Sequence, residues 1–246
     1  MVITSFDNAK VAEVIKLADK KYRKTLSRYV IEGARLVSDA VKYGAEIVSV
    51  FVAESVASIY DYENKIVVSD KVFAKMSDTV SSQGILAVVN KPQSEHILQR
   101  GNCLILDGLQ DPGNVGTLMR TAVACNFSDI YAVNSVDMYS PKVLRSAMSA
   151  HFCLNLHETS SLADVFGSLC EYEIIACDMN GESAFKRAYT GNVALVLGNE
   201  GNGLSEYSKT HSDIVVSLPM ANDFESLNVA VAGSVIMYQV FSQSLK

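Results

Sequence analysis

The chain has 246 residues, 49% of them hydrophobic and 20% charged, with a net charge of −6. The composition is ordinary for a soluble globular protein, the length suffices for one large α/β domain or two small ones, and the negative balance argues against a general nucleic-acid binder. No apolar run is long enough to span a bilayer and "MVITSFDNAK" has no signal-peptide pattern, so the expected location is cytoplasmic.

The N-terminal ninety residues alternate helical and strand patterns. "NAKVAEVIKLADKKYRK" places Val11, Val14, Ile15 and Ala18 on one helix face, with Asn8 as cap. "RYVIEG" reads as a strand and "ARLVSDAVKYG" as a helix closed by Gly44. "IVSVFVA", "KIVVS" and "GILAVVN" are β-branched runs suited to buried strands, separated by short polar helical pieces. "NKPQSEH" then breaks the pattern, and 91–99 is the expected linker between a domain at 1–90 and a second at 100–246.

In the second part the alternation restarts. "CLILDGL", "DIYAVN", "CLNLH", "EIIACDM", "VALVLG" and "IVVSLP" read as strands. "NVGTLMRTAVAC", "PKVLRSAMSA", "SLADVFGSL" and a last segment from about Ser226 to Val240 read as helices. Strands buried on both faces and alternating with helices imply a mostly parallel sheet covered on both sides.

The charge is unevenly spread. Between Lys10 and Lys42 stand nine basic and four acidic residues; from residue 96 onward there are eight basic and fifteen acidic. "KKYRKTLSR" fits either a solvated helix face or an RNA-facing patch made of Lys20, Lys21, Arg23, Lys24 and Arg28. The five cysteines (Cys103, Cys125, Cys153, Cys170, Cys177) are scattered with no C-x-x-C, which predicts free, buried thiols and no metal site. His96, His151, His157 and His211 show no ligand spacing either.

Ligands of open parallel sheets bind beyond the carboxyl ends of the strands. Three strand ends here carry unusual turns: "LDGLQDPGNVGTLMRTA" (106–122), "LVLGNEGNGLS" (195–205) and "LPMANDFESLNVA" (218–230). The first lacks the Lys-Ser/Thr of a P-loop and does not match G-x-G-x-x-G. Each has a plain alternative: a flexible glycine turn, a helix cap at Ser226, a surface arginine at Arg120. Their joint occurrence predicts one pocket.

In this order, the three segments resemble the signature motifs of the SpoU (TrmH-like) RNA 2′-O-ribose methyltransferases, a branch of the SPOUT superfamily. Asn114 and Arg120 stand in the first motif, Gly198, Glu200 and Gly201 in the second, and Leu218, Pro219, Met220, Ser226, Leu227 and Asn228 in the third. The likeness runs from about residue 100 to the end; residues 1–90 resemble, more loosely, the substrate-binding domain that precedes it in many members. The resemblance implies an α/β fold with a C-terminal trefoil knot, a homodimer, and S-adenosylmethionine as cofactor. General topology alone would reject a knot.

On the same basis Gly198, Leu218 and Leu227 should contact the cofactor with Met220 packing nearby, and Leu197 and Gly201 belong to that set. Arg120, Asn114, Glu200, Ser226 and Asn228 are the implied catalytic group. Arg120 either activates the ribose hydroxyl or clamps an RNA phosphate, and its permanent charge favours the clamp. Glu200 should fix Arg120 or a neighbouring loop. Arg145 is either a further RNA-facing group or a surface arginine. Asn126, Ser149 and Asn222 occupy positions where the family tends to have glycine; asparagine tolerates the left-handed region, serine less so. Ribosomal RNA is the favoured substrate. Transfer RNA, a non-catalytic RNA-binding role and a nucleotide-dependent oxidoreductase are the alternatives.

Overall fold

The computed structural model describes residues 1–92, 101–221 and 226–245. Most of the expected linker (93–99), His96 and Asn222 lie outside the described residues. The chain divides into two units, Met1–Gln93 with Tyr139–Leu144, and Ser94–Met138 with Arg145–Lys246.

The first unit holds β1 (Val2–Ile3), α1 (Ala9–Lys16), α2 (Lys20–Leu26), β2 (Arg28–Glu32), α3 (Ala34–Lys42), β3 (Ile47–Ala53), β4 (Ile66–Val68), α4 (Asp70–Met76) and β5 (Ile85–Asn90). Its sheet runs β1-β4-β3-β5-β2, with β5 antiparallel to both neighbours. Val11 and Val14 of α1 and Val72 and Phe73 of α4 pack on Phe51, Leu86 and Val88 of the strands.

The single helix expected from Asn8 onward is two helices. Asn8 caps α1 as predicted, but Asp19 caps a new start by accepting the Lys21 N–H at 2.8 Å. Arg23 was expected to face RNA; instead it is buried and its guanidinium donates to the Leu17 and Ala18 carbonyls, both at 2.7 Å. These carbonyls lie at the end of α1, where a cation is favoured and acceptors lack intrahelical partners. Arg28 is half-buried and its charge is directed at Glu13, at 2.6 Å. Lys20, Lys21 and Lys24 remain exposed.

The second unit holds β6 (Asn102–Asp107), α5 (Pro112–Ala124), β7 (Phe127–Val133), α6 (Pro141–Ala147, whose first turns fall in the other unit), β8 (Asn155–Thr159), α7 (Leu162–Ser168), β9 (Tyr172–Ser183), β10 (Asn192–Gly198), α8 (Glu206–His211), β11 (Ile214–Ser217) and α9 (Val229–Ser244). The sheet order is β11-β9-β10-β6-β7-β8 and every pairing is parallel. Ile105, Ala194 and Val196 bury one face against Val165, Phe166 and Leu169 around α7. Each such aliphatic side chain contributes about 1.5–3 kcal/mol on burial.

α9 crosses α5 with Gly233 at the contact. A Cβ there would lie 2.4 Å from Leu197 Cδ1 and 2.8 Å from Leu118 Cδ2, so the bare backbone brings the last helix against β10 and α5 together. Among the described residues no helix is long and apolar enough to cross a membrane. The cysteines are free, but only Cys103 and Cys125 are buried; Cys153 and Cys170 are exposed, against the expectation of buried thiols. Cys153 ends the short 3₁₀ turn before β8 and Cys170 follows the last turn of α7, so both stand at element ends that face solvent.

Candidate functional site

Because all six strands run in parallel, their carboxyl ends collect on one edge of the sheet. β6 ends at Asp107 in register with Gly198, the last residue of β10, and β11 ends at Ser217. Beyond this edge lies a cleft of about 750 Å³. It is lined by Leu197, Gly198, Glu200 and Gly201 from the second loop and by Leu218, Met220, Ser226, Leu227 and Asn228 from the third. These are all six expected cofactor residues and three of the five expected catalytic ones. The cleft also takes Cys177, Asp178 and Met179 from the middle of β9. Periodicity marks "EIIACDM" only as a strand and does not single them out; the one local signal is an aspartate near the end of an otherwise apolar run.

The first loop joins by hydrogen bonds. Asp111 caps α5 by accepting the Asn114 N–H at 2.7 Å, and Pro112 stands in the first turn, where its missing N–H costs nothing. Glu200 reaches over this helix start. Its Oε2 accepts the Gln110 N–H at 3.2 Å, and its Oε1 accepts the Asp111 N–H at 3.1 Å and Asn114 Nδ2 at 3.2 Å. Burial works against the charge on Glu200. The bonds from its own backbone N–H, Asp111, Asn114 and Gln110 outweigh it and hold the carboxyl below the usual carboxylate range.

An ionised carboxylate only accepts, so the Asn114 amide must turn its NH₂ toward Glu200 and its oxygen away. That oxygen accepts Asn228 Nδ2 at 2.9 Å. Asn228 in turn directs its own oxygen to the Ala230 and Val231 N–H groups, at 2.9 and 3.3 Å, and so caps α9. The cap is therefore Asn228, not the expected Ser226, which is exposed at the cleft. One carboxylate sets the direction of two amides and joins three loops.

The second loop is fixed at its base. A Cβ on Gly198 would lie 2.3 Å from the Gly203 carbonyl carbon and 2.3 Å from the Leu204 nitrogen, so only glycine admits the returning backbone there. Asp107, buried at the end of β6, accepts the Ser205 N–H at 2.9 Å and the Ser208 hydroxyl at 2.7 Å, which holds the far end of that loop.

Arg120 stands three turns into α5, exposed and outside the residues lining the cleft. Among the described residues no carboxylate pairs with it, and Glu200 engages the neighbouring loop instead. Arg145 is half-buried on α6. Asn126 (φ 60°), Met148 (φ 47°) and Ser149 (φ 72°) all hold the left-handed conformation. The Gly116 side of α5 abuts Ser146 of α6, where an added Cβ would meet the serine Cβ at 2.3 Å.

At the opposite end of the sheet, His157 Nε2 and Asp129 Oδ1 lie 2.9 Å apart, both buried. Burial opposes the Asp129 charge, yet bonds from His157, Ser128 and Asn155 hold its carboxyl below the ordinary range. Burial lowers the pKa of His151 to about 3, so that ring is neutral. Among the described residues no group of three or more His, Cys, Asp or Glu could hold a metal ion.

Residues 101–238 match the family model of the SpoU rRNA Methylase family, and residues 8–87 match that of the MRM3-like substrate binding domain. The 23S rRNA (guanosine(2553)-2′-O)-methyltransferase RlmP of Bacillus subtilis (strain 168) is 30% identical over 252 residues, covering 97% of this chain and 98% of its own. An AdoMet-bound rRNA methyltransferase from Sinorhizobium meliloti, solved as a crystal structure, shares 26% identity with a TM-score of 0.86 over 100% of this chain and 99% of that one. A crystal structure of an RNA 2′-O ribose methyltransferase gives 27% and 0.83 over the whole of both chains.

Proposed function

Since the chain belongs to the SpoU rRNA methylase family, we propose that it is an S-adenosylmethionine-dependent methyltransferase acting on a ribose 2′-hydroxyl of ribosomal RNA. The observation that carries this is the meeting of three distant loops at one strand-end cleft, with all six expected cofactor residues on its wall.

The cleft suits such a cofactor. Its described lining carries two carboxylates, Asp178 and Glu200, and no lysine or arginine, which favours a sulfonium cation over a phosphate. Gly198, Leu218 and Leu227 bring backbone and apolar surface to it. When bound, S-adenosylmethionine supplies the methyl group on its sulfonium. Leu197, Gly201 and Met220 complete the apolar and backbone wall.

Arg120 is assigned to the RNA. A guanidinium stays protonated in proteins, so it cannot take the proton of the 2′-hydroxyl; it can hold the adjacent phosphate through two parallel bonds. Fixing the ribose within reach is itself a large catalytic contribution. Glu200, Asn114 and Asn228 keep the three loops in one arrangement around the reacting groups, and Ser226 orients the third loop from its place at the cleft.

The first unit is the RNA substrate-binding domain in this reading, with Lys20, Lys21 and Lys24 as its exposed phosphate contacts and Arg145 as a further one on the second unit. The trefoil knot is assigned, on the family resemblance, to the C-terminal part of the second unit. A homodimer accords with the exposed apolar residues Val231, Tyr238 and Leu245 along α9 and Val123 on α5, and the cytoplasm is the location this reading assigns.

Deleting the gene and mapping 2′-O-methyl groups across rRNA and tRNA tests this. One lost rRNA methyl, restored in vitro by the purified protein and S-adenosylmethionine, is the expected result. A lost tRNA methyl would overturn the substrate, and cofactor binding without transfer to any RNA would overturn the catalysis.

A further inference from the structure

The function proposed above leaves Asn199 without a role, yet it lines the cleft and its side chain is fully engaged, with Nδ2 also 3.5 Å from Glu200 Oε2. Nδ2 donates to the Gly108 carbonyl at 2.7 Å, and Oδ1 accepts the Gly201 and Asn202 N–H groups at 3.0 Å each. Its backbone exchanges two bonds with Gly203, at 2.8 and 2.9 Å, closing the loop on itself. The Gly108 carbonyl also accepts Gln110 Nε2 at 3.1 Å. One amide thus joins the inside of the loop that carries Glu200 to the turn that presents the Gln110 and Asp111 N–H groups to that same carboxylate.

Resting on the methyltransferase reading, we infer that Asn199 is a positioning residue of the reaction. It holds Glu200 over the start of α5 and, through Glu200, sets the orientation of Asn114 and Asn228. The position needs an amide because one atom must accept two N–H groups while its neighbour donates to a carbonyl. Aspartate keeps the acceptor but sets a second carboxylate against the Gly108 oxygen and beside Glu200. Alanine loses both functions. Without the Gly108 bond, the Glu200 end of the loop is held to the start of α5 by the bonds of Glu200 itself, which are exposed to competing water, while Asp107 still anchors the far end at Ser205 and Ser208.

The test compares Asn199→Ala, Asn199→Asp, Glu200→Ala and the double variant Asn199→Ala/Glu200→Ala in the full-length protein. Hydrogen exchange at the Gln110 and Asp111 amides is read first, because it does not depend on any reaction. It should accelerate in both Asn199 variants, about as much as in Glu200→Ala. Methyl transfer should fall about tenfold in kcat in Asn199→Ala, with S-adenosylmethionine affinity within about twofold of wild type. The double variant should be no slower than Glu200→Ala alone, the signature of two residues acting through one path. In Asn199→Asp the acid limb of the kcat profile should move to higher pH, since a new neighbouring carboxylate makes Glu200 easier to protonate.

Unchanged exchange in the Asn199 variants, or losses that multiply in the double variant, would overturn the inference. So would a collapse of cofactor affinity with normal exchange, which would make Asn199 a direct ligand contact. A wild-type protein that transfers no methyl group, with these amides still protected through Asn199, would overturn the methyltransferase reading and not the positioning geometry.

Discussion

Asn228 donates to Asn114 across 2.9 Å, although the two residues are 114 positions apart, while its own oxygen caps α9. Tether and cap reside in one side chain, and substitution can separate them. Asn228→Asp keeps an oxygen for the Ala230 and Val231 N–H groups and loses the donor to Asn114. Its unfolding free energy should stay within about 1 kcal/mol of wild type while methyl transfer falls. Asn228→Ala should lose the transfer and about a further 1 kcal/mol of stability. Denaturant unfolding and turnover, measured on the same preparations, check both.

Arg120 lies outside the cleft wall and has no carboxylate partner among the described residues, so its removal should not disturb the cofactor. Arg120→Ala is expected to lower kcat by ~100-fold or more, with S-adenosylmethionine affinity within about twofold. Arg120→Lys should recover only part of the rate, because an ammonium cannot match a phosphate with two parallel bonds. Calorimetric binding and single-turnover transfer check this pair.

The Glu200 carboxyl is held below its ordinary range in the fold, so the unfolded chain binds its proton first as the pH falls. Its contribution to stability is present above roughly pH 4.3, the unfolded value, and is lost as the pH drops through the lower folded value. Glu200→Gln should therefore melt below wild type at pH 7, and the gap should close toward pH 3. Melting curves across that range check the sign; a gap that widens in acid would contradict it.

Asp129 and His157 are a buried pair at the end of the sheet opposite the cleft. Asp129→Ala should cost about 1–3 kcal/mol, the penalty for a buried polar partner left unsatisfied. Methyl transfer per folded molecule at low temperature should not change. Unfolding by denaturant and activity at 15 °C, a temperature set to keep the variant folded, check the separation.

Asn126 is exposed just past α5 in the left-handed conformation, φ 60°. Asn126→Ala should cost about 1 kcal/mol, from the clash of its Cβ without the local bonding that asparagine offers. Asn126→Gly should equal or slightly exceed wild type. Thermal melts should place Asn126→Ala below wild type and Asn126→Gly at or just above it.

Periodicity located nearly every strand and the long helices, because a parallel sheet buried on both faces writes itself as short apolar runs. The three loops were legible as well, since each interrupts such a run with glycine, asparagine or proline at a strand end. What escaped depended on partners distant in sequence. "KKYRK" reads as a uniform cationic stretch, but Arg23 points inward because the end of α1 presents two free carbonyls to it. Ser226 and Asn228 are both good cap residues, and only the position of Asn114 selects the second. The anchoring of Ser205 and Ser208 by Asp107 spans about a hundred residues, and no local pattern announces it.

The order in which the wall of the cleft is contributed has a consequence during synthesis. A ribosome delivers β6, α5 and β10 well before the segment from Leu218 to Asn228, and Gly233 must then seat α9 on Leu118 and Leu197. Under the proposed function, the nascent protein can complete its sheet while still lacking the third loop's wall of the cofactor cleft. On that reading competence follows the docking of α9, and a polypeptide stalled before it would hold most of its sheet yet transfer no methyl group.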